Sequence, residues 1–248
     1  MKKMLSRYGI CVCAALQLLL SGCASYIPPG PKADLQAFAP ADIQAGFAAQ
    51  ATAPFPSTIA TIRVQAPQYR NHNLEQQGGT YGTGRYSVVT TKEVEDQADL
   101  EAIARLPQVS GLVSVNRLLL PDKLDSDREI RQAAARLQAD LIFVYTFDTR
   151  FYDNDLATPL SVITLGLSPT RKISVTSTVS ALLIDTRTGY IYSAYEVTTK
   201  AGTLATSWGS RDAADQSRQQ SEREAFSKLI GEFVSVWPKL LDKHKKTS

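Results

Sequence analysis

Two histidines, His72 and His244, are all the imidazoles in 248 residues, so a Ser-His-Asp or Cys-His centre would have to recruit one of them. His72 lies in a polar run and His244 in a basic tail, neither beside an apolar strand end, and no catalytic residue is expected. Gly79-Thr-Tyr-Gly-Thr-Gly84 has the glycine density of a phosphate-cradling loop. Such a loop follows a strand and opens a helix, whereas polar residues precede this one and strand-like Arg85 to Thr91 follows it; a mobile loop is expected. Asp153-Asn-Asp155 carries the first oxygens of a calcium loop without the remaining spacing or the glutamate that closes it, and reads as a solvated turn. Asp140 and Asp148 stand eight residues apart, about 26 Å along a strand, too far to share a proton. Neither a metal site nor a cofactor is expected.

Cys23 is different, because its neighbours specify a reaction. Lys2, Lys3 and Arg7 open the chain, and an apolar run from Gly9 to Leu20 follows. At about 1.5 Å per helical residue the run covers roughly 18 Å, short of the ~30 Å of a bilayer core. A basic start and a short apolar core are the layout of a secretory signal. The segment ends in Leu20-Ser21-Gly22-Cys23, which looks like a lipobox. Such a signal implies a signal peptide over 1–22, cleavage before Cys23, a diacylglycerol on its sulfur and an acyl chain on its new amine. Each buried methylene contributes about 0.8 kcal/mol, so several acyl chains hold a protein on a membrane durably. Ala24 follows the cysteine, and not the aspartate of an inner-membrane retention signal; the expected address is the periplasmic face of the outer membrane.

Cleavage changes the composition. The chain has 27 Lys and Arg against 24 Asp and Glu, and the three basic residues before Cys23 leave with the leader, so the remainder is balanced at 24 against 24. A balanced chain gives no reason to expect nucleic acid. Cys11 and Cys13 leave too, and Cys23 alone remains, so no disulfide is expected.

Residues 23–56 are rich in Ala, Gln and Pro and read as a flexible, lipid-anchored linker with one short helix around Asp34 to Gln50. As a random coil, thirty such residues reach about 30 Å. Residues 57–248 form one periplasmic domain of sufficient size for a core. Within it, Thr58 to Ala66 reads as a strand. Thr91 to Leu106 reads as a helix capped at Thr90 or Thr91, with acids where the dipole favours them. Val109 to Leu120 reads as a second strand. Ser126 and Glu129 form a capping-box signature ahead of a helix from Asp127 to Gln138, and Leu141 to Phe147 is a strand buried on both faces. Alternation from Ile173 to Leu183, a turn at Asp185 to Gly189 and a return from Tyr190 to Ala201 predict a hairpin. Phe226, Leu229, Ile230, Phe233, Val234, Trp237, Leu240 and Leu241 place one apolar stripe on a helix from Asp212 to Asp242. Strands alternating with helices give an α/β fold, a single mixed sheet with helices packed on it. The apolar stretch Leu156 to Leu167 either covers a sheet face or forms a binding patch, and Tyr145, Phe147, Phe151 and Tyr152 line either a core or a groove.

"AAARLQADLIFVYTF" (Ala133 to Phe147) followed by "VSALLIDTRTGYIYSAYEV" (Val179 to Val197) resembles a superfamily of periplasmic lipoproteins with a fold like the TolB N-terminal domain. That superfamily includes the curli-secretion lipoprotein, and within it the chain is similar to the rhombotarget lipoprotein family. The resemblance implies an outer-membrane lipoprotein that serves as an accessory or assembly subunit of an envelope system, with an envelope protein or a second copy of itself as partner. The extra hairpins that let the curli protein form a barrel have no counterpart here, so pore formation is not expected, and Asp185 and Gly189 are markers of the fold. The alternative expectation is a periplasmic module that binds a lipid or glycan.

Overall fold

The computed structural model describes residues 28–38, 43–67, 69–71, 79–155, 171–205 and 210–244. Its strands are β1 (Ser57–Gln65), β2 (Thr83–Gly84), β3 (Ser87–Val89), β4 (Val109–Ser114), β5 (Lys123–Leu124), β6 (Leu141–Asp155), β7 (Arg171–Asp185) and β8 (Ile191–Ala205). Its α-helices are α1 (Ile43–Ala48), α2 (Gln97–Ala104), α3 (Asp127–Arg136) and α4 (Ser210–His244). One mixed sheet runs β3-β1-β6-β7-β8 with β4 also on β1. β1 is parallel to β4 and β6, and β6-β7-β8 is an antiparallel ribbon. This is the α/β architecture the sequence predicts.

Each face of the sheet has its own core. On one, α4 lays Phe226, Phe233 and Trp237 over Phe143, Tyr145 and Phe147 of β6, and α2 adds Leu100 and Ile103. Each such side chain, fully buried, contributes about 1.5–3 kcal/mol. The apolar stripe of α4 is buried as its spacing predicts, and Trp237 donates its indole N–H to the Pro107 carbonyl at 2.8 Å. On the other face, α3 covers Ala60, Ile62, Ile142 and Val144 with Ile130, Ala133 and Ala134. The Ser126–Glu129 capping box forms as expected.

Several boundaries differ from the expected ones for identifiable reasons. α2 begins at Gln97 rather than Thr91, because Glu93 and Glu95 turn inward to two buried arginines and a tyrosine. The strand expected to reach Leu120 stops at Ser114, and Asn116 then caps a 3-10 turn by accepting the Leu118 N–H at 2.9 Å. Asp153-Asn-Asp155 is not a turn: these residues continue β6 and pair with Ile173, Lys172 and Arg171. Gly84 does not belong to a free loop, since β2 pairs with β5. Its φ is +110°, and a Cβ there would fall 2.5 Å from the Leu124 carbonyl oxygen. Gly189 takes φ +75° at the close of the β7–β8 turn, the role its position predicts.

The expected linker is the largest difference. The parallel β1–β6 ladder ends at Ile62 and Val144, and residues 30–33 join β1 beyond that point. Gly30 N–H donates to the Arg70 carbonyl at 3.0 Å, Ala66 N–H to the Pro31 carbonyl at 3.2 Å, and Lys32 bridges Gln65 in antiparallel fashion. Ala33 N–H donates to Thr146 Oγ1 at 3.0 Å. Ala33 and Phe38 are buried, Phe38 against Tyr86 with ring centroids 5.1 Å apart. α1 matches the expected linker, with none of its residues buried. Residues 28–38 are therefore a strap built into the sheet.

Candidate functional site

Beyond α1, the chain is fixed to the sheet again by one carboxylate. Asp185, the last residue of β7, is fully buried and accepts the backbone N–H groups of Thr52 and Ala53 at 2.7 and 2.8 Å. It also accepts those of Arg187 and Thr188 at 2.9 and 3.2 Å and the Tyr192 hydroxyl at 3.0 Å. Burial pushes its carboxyl up, but the backbone donors of Thr52, Thr188 and Arg187 outweigh this and hold it below the ordinary aspartate value. The sequence reading of Asp185 as a turn former captures half of its role; the other half is to hold chain 132 and 133 residues away.

Between the strap and the β6-β7-β8 face that carries Thr146, Ser180 and Glu196 lies a concavity of about 580 Å³, lined by Lys32, Asp34, Leu35, Thr146, Ser180, Leu182, Ala194 and Glu196. Ser180 donates to Glu196 at 3.0 Å across the β7–β8 pair. Two acids, one lysine and hydroxyls around an apolar floor could hold a small polar molecule. This hollow is not the groove expected near Phe151 to Leu167. Tyr145 and Phe147 belong to the core, Phe151 packs with Ile173, Val175 and Ala214, and Tyr152 is half exposed.

Beneath α4 the sheet buries a cluster of charges that motif reading misses. Arg63 of β1 and Arg218 of α4 are both fully buried. Arg218 reaches Glu93 at 3.1 Å, Glu222 at 2.8 Å and Asp215 at 3.0 Å, while Arg63 faces Glu93, Glu95 and Glu222 at 3.6–3.8 Å. Tyr145 donates to Glu95 at 3.0 Å and Thr149 to Glu222 at 2.7 Å. The Arg63 guanidinium lies 4.6 Å from the Phe147 ring centroid. Burial opposes the charge on each arginine, but the surrounding acids prevail and both are held more basic than usual. Burial likewise works against an ionised Glu93, yet Arg218 and Arg63 keep its carboxyl below its ordinary range. Burial pushes the Tyr69 hydroxyl, 3.4 Å from Arg63, up to about 12. The cluster ties α4 to β1 and β6. Its carboxylates accept from arginines, from hydroxyls and from the side-chain amides of Asn71 and Gln219. A signal for it exists in the sequence: a lone arginine inside the apolar run of β1, and an Asp-x-x-Arg-x-x-x-Glu pattern on α4.

The remaining expected site residues divide. Cys23 and its lipobox neighbours Leu20, Ser21 and Gly22 lie outside the described residues, as do His72 and the stretch 156–167. His244 does reach a strand end, contrary to expectation, packing on Tyr192 and Tyr190 with ring centroids 4.9 and 5.8 Å away. Asp140 accepts the Thr58 N–H at 3.1 Å and pairs with Arg187 at 2.8 Å. Among the described residues no group of three or more His, Cys, Asp or Glu is arranged to hold a metal ion, and no helix is long and apolar enough to cross a membrane.

No protein-family model matches the chain, and neither does any curated protein. Among solved structures it is similar to a Xanthomonas campestris protein of the family described as DUF330, at 11% identity over 77% of this chain and 90% of that one, with a TM-score of 0.36. It is similar to a candidate neuraminyllactose-binding hemagglutinin homologue from Helicobacter pylori, at 9% identity over 78% and 90%, TM-score 0.35. A candidate lipoprotein from Caulobacter crescentus matches at 12% identity over 44% and 76%, TM-score 0.25. Likenesses this distant leave the functional reading to the chain's own residues.

Proposed function

We propose that the chain is a lipid-anchored protein of the bacterial envelope, held by an acylated Cys23 at the periplasmic face of the outer membrane. Its domain acts without catalysis, as an accessory or assembly subunit that engages an envelope protein or a second copy of itself. The observation that carries this reading is the strap. Residues 30–33 of the segment that would connect the lipid to the domain are hydrogen-bonded into β1 and β6, and Asp185 holds it again at Thr52 and Ala53, so the domain's fixed part begins within a few residues of Cys23 in sequence. The lipobox and the resemblance to the rhombotarget lipoproteins agree with it. Replacing Cys23 with alanine should move the protein from the membrane fraction to the soluble periplasm, and mass analysis of the native protein should show acyl chains on residue 23. An unmodified thiol there would overturn the reading.

A second reading, a module binding a lipid or glycan fragment, draws on the hollow beside Lys32 and Glu196, whose volume lies within the range typical of small-ligand sites. Native mass spectrometry separates the two: a co-purifying small molecule lost on Glu196→Lys favours the second, and a defined oligomer without one favours the first.

A further inference from the structure

The β6-β7-β8 ribbon extends past the end of β1, and there no described element covers one of its faces. Residues directly opposite on paired strands share a face. Arg150, Thr176 and Lys200 form one such row, Tyr152, Ser174 and Gly202 the next, and Lys172 with Leu204 the last. The opposite face carries Phe151, Ile173 and Val175, which pack with Ala214 of α4. On the first face Arg150 is 70% exposed, Tyr152 52% and Leu204 58%, and Lys172 and Lys200 are exposed too. Asp148 lies 3.6 Å from Arg150, Asp153 and Asp155 neighbour Asn154, the ladder partner of Lys172, and Glu196 lies four residues before Lys200 on β8; Lys172 and Lys200 form no ion pair with an acid among the described residues. Three cations set around an aromatic ring and a leucine on one face match an anionic lipid surface, where each basic side chain contributes about 1 kcal/mol and a tyrosine settles at headgroup depth.

The chain leading to the anchor arrives at this same end. Ala33 binds Thr146, which lies about 13 Å along β6 from Arg150. Cys23 precedes Pro28, where the described strap begins, by five residues, a span of at most about 18 Å. The Asp185–Gly189 turn and the C-terminus of α4 lie at the opposite end of the sheet, where Trp237 meets Pro107 and His244 meets Tyr192. We infer that the face formed by Arg150, Tyr152, Lys172, Lys200 and Leu204 docks on anionic lipid headgroups, so that the domain lies against the membrane in a fixed orientation instead of ranging on a leash. This inference rests on the acylation of Cys23 for its geometry, while the charge pattern supports it independently.

The test uses the full chain, processed in the envelope and reconstituted into vesicles of phosphatidylethanolamine with or without phosphatidylglycerol and a headgroup quencher. A fluorophore is placed through Ser174→Cys on the docking face or through Lys239→Cys at the opposite end. Quenching at 174 should exceed that at 239 by roughly threefold or more in phosphatidylglycerol vesicles, and the triple variant R150E/K172E/K200E, with an unchanged melting temperature, should remove the difference. Equal quenching at both positions, or a difference that survives the triple variant, would overturn the docking face. Mass analysis of residue 23 in the same samples separates this outcome from failure of the anchor. Should the thiol be free, sedimentation with the same vesicles still decides: phosphatidylglycerol-dependent binding lost in the triple variant sustains the face, and no binding rejects it.

Discussion

Replacing Asp185 with alanine removes the acceptor for four backbone amides, from Thr52, Ala53, Arg187 and Thr188, and for the Tyr192 and Thr52 hydroxyls. Hydrogen bonds to a charged group contribute about 1.5–3 kcal/mol each, but donors sharing one acceptor are not additive. Thr52 is exposed, so water replaces part of its loss. The expected destabilisation is about 3–5 kcal/mol, which lowers the melting temperature of a domain this size by roughly 10 °C. Asp185→Asn, which keeps one acceptor oxygen but turns an N–H₂ group toward donors, should cost about 2 kcal/mol. Urea unfolding at neutral pH measures both, and hydrogen exchange at the Thr52 and Ala53 amides should accelerate in parallel. The pH dependence has a definite sign. Because the folded carboxyl is held below its ordinary value, its contribution is complete above the unfolded pKa and is lost as pH falls through the lower folded one. The gap between wild type and Asp185→Ala should therefore close only below about pH 4. A loss under about 1 kcal/mol, with exchange at Thr52 and Ala53 unchanged, would refute the claim that this carboxylate clamps the chain at those two residues.

Three further substitutions probe the rest of the fold. Arg218→Met leaves Glu93, Glu222 and Asp215 buried without their closest cation and should cost about 3–5 kcal/mol in urea unfolding; a neutral effect would mean that the cluster does not tie α4 to the sheet. Gly189→Ala forces a side chain to φ +75° and brings its Cβ to 3.1 Å from Arg131 Nη1, so a loss of about 1–2 kcal/mol is expected. Burial and then Lys243 lower the His244 pKa, so stability that is full above the ordinary histidine value should decline as pH falls through the depressed one. Melting curves between pH 7 and pH 5 should show that decline in wild type and a weaker one in His244→Phe.

Periodicity makes the framework legible in the sequence. The apolar steps on α4, the Ser126–Glu129 box and the two-sided burial of Leu141 to Phe147 each depend on near neighbours in the chain, and the fold contains all three. What escapes reading depends on partners distant in sequence. Glu93 and Glu95 have the spacing of a helix start, but Arg63 and Arg218, the latter more than a hundred residues further on, draw them out of it. The strap escapes for the same reason: Ala33 and Phe38 sit in a proline-rich stretch that looks unstructured, and their burial depends on the gap where β1 and β6 part for Ala33 and on Tyr86 for Phe38. Asp153 to Asp155 read as a turn by composition, yet the fifteen-pair ladder with β7 carries them onward as strand. The hollow beside Lys32 needs the strap and the ribbon together, so no local pattern announces it.

The way the strap enters the sheet also sets how the molecule would bear load. A pull directed outward from Pro28 meets the Gly30–Arg70, Pro31–Ala66 and Lys32–Gln65 contacts in succession, and Ala33 and Phe38 must leave their sockets before tension reaches Asp185 at the far end. Failure under force would therefore start at the crack tip between two parallel strands, and the domain would lengthen by paying out its own N-terminal segment while the ribbon and the long helix stay intact.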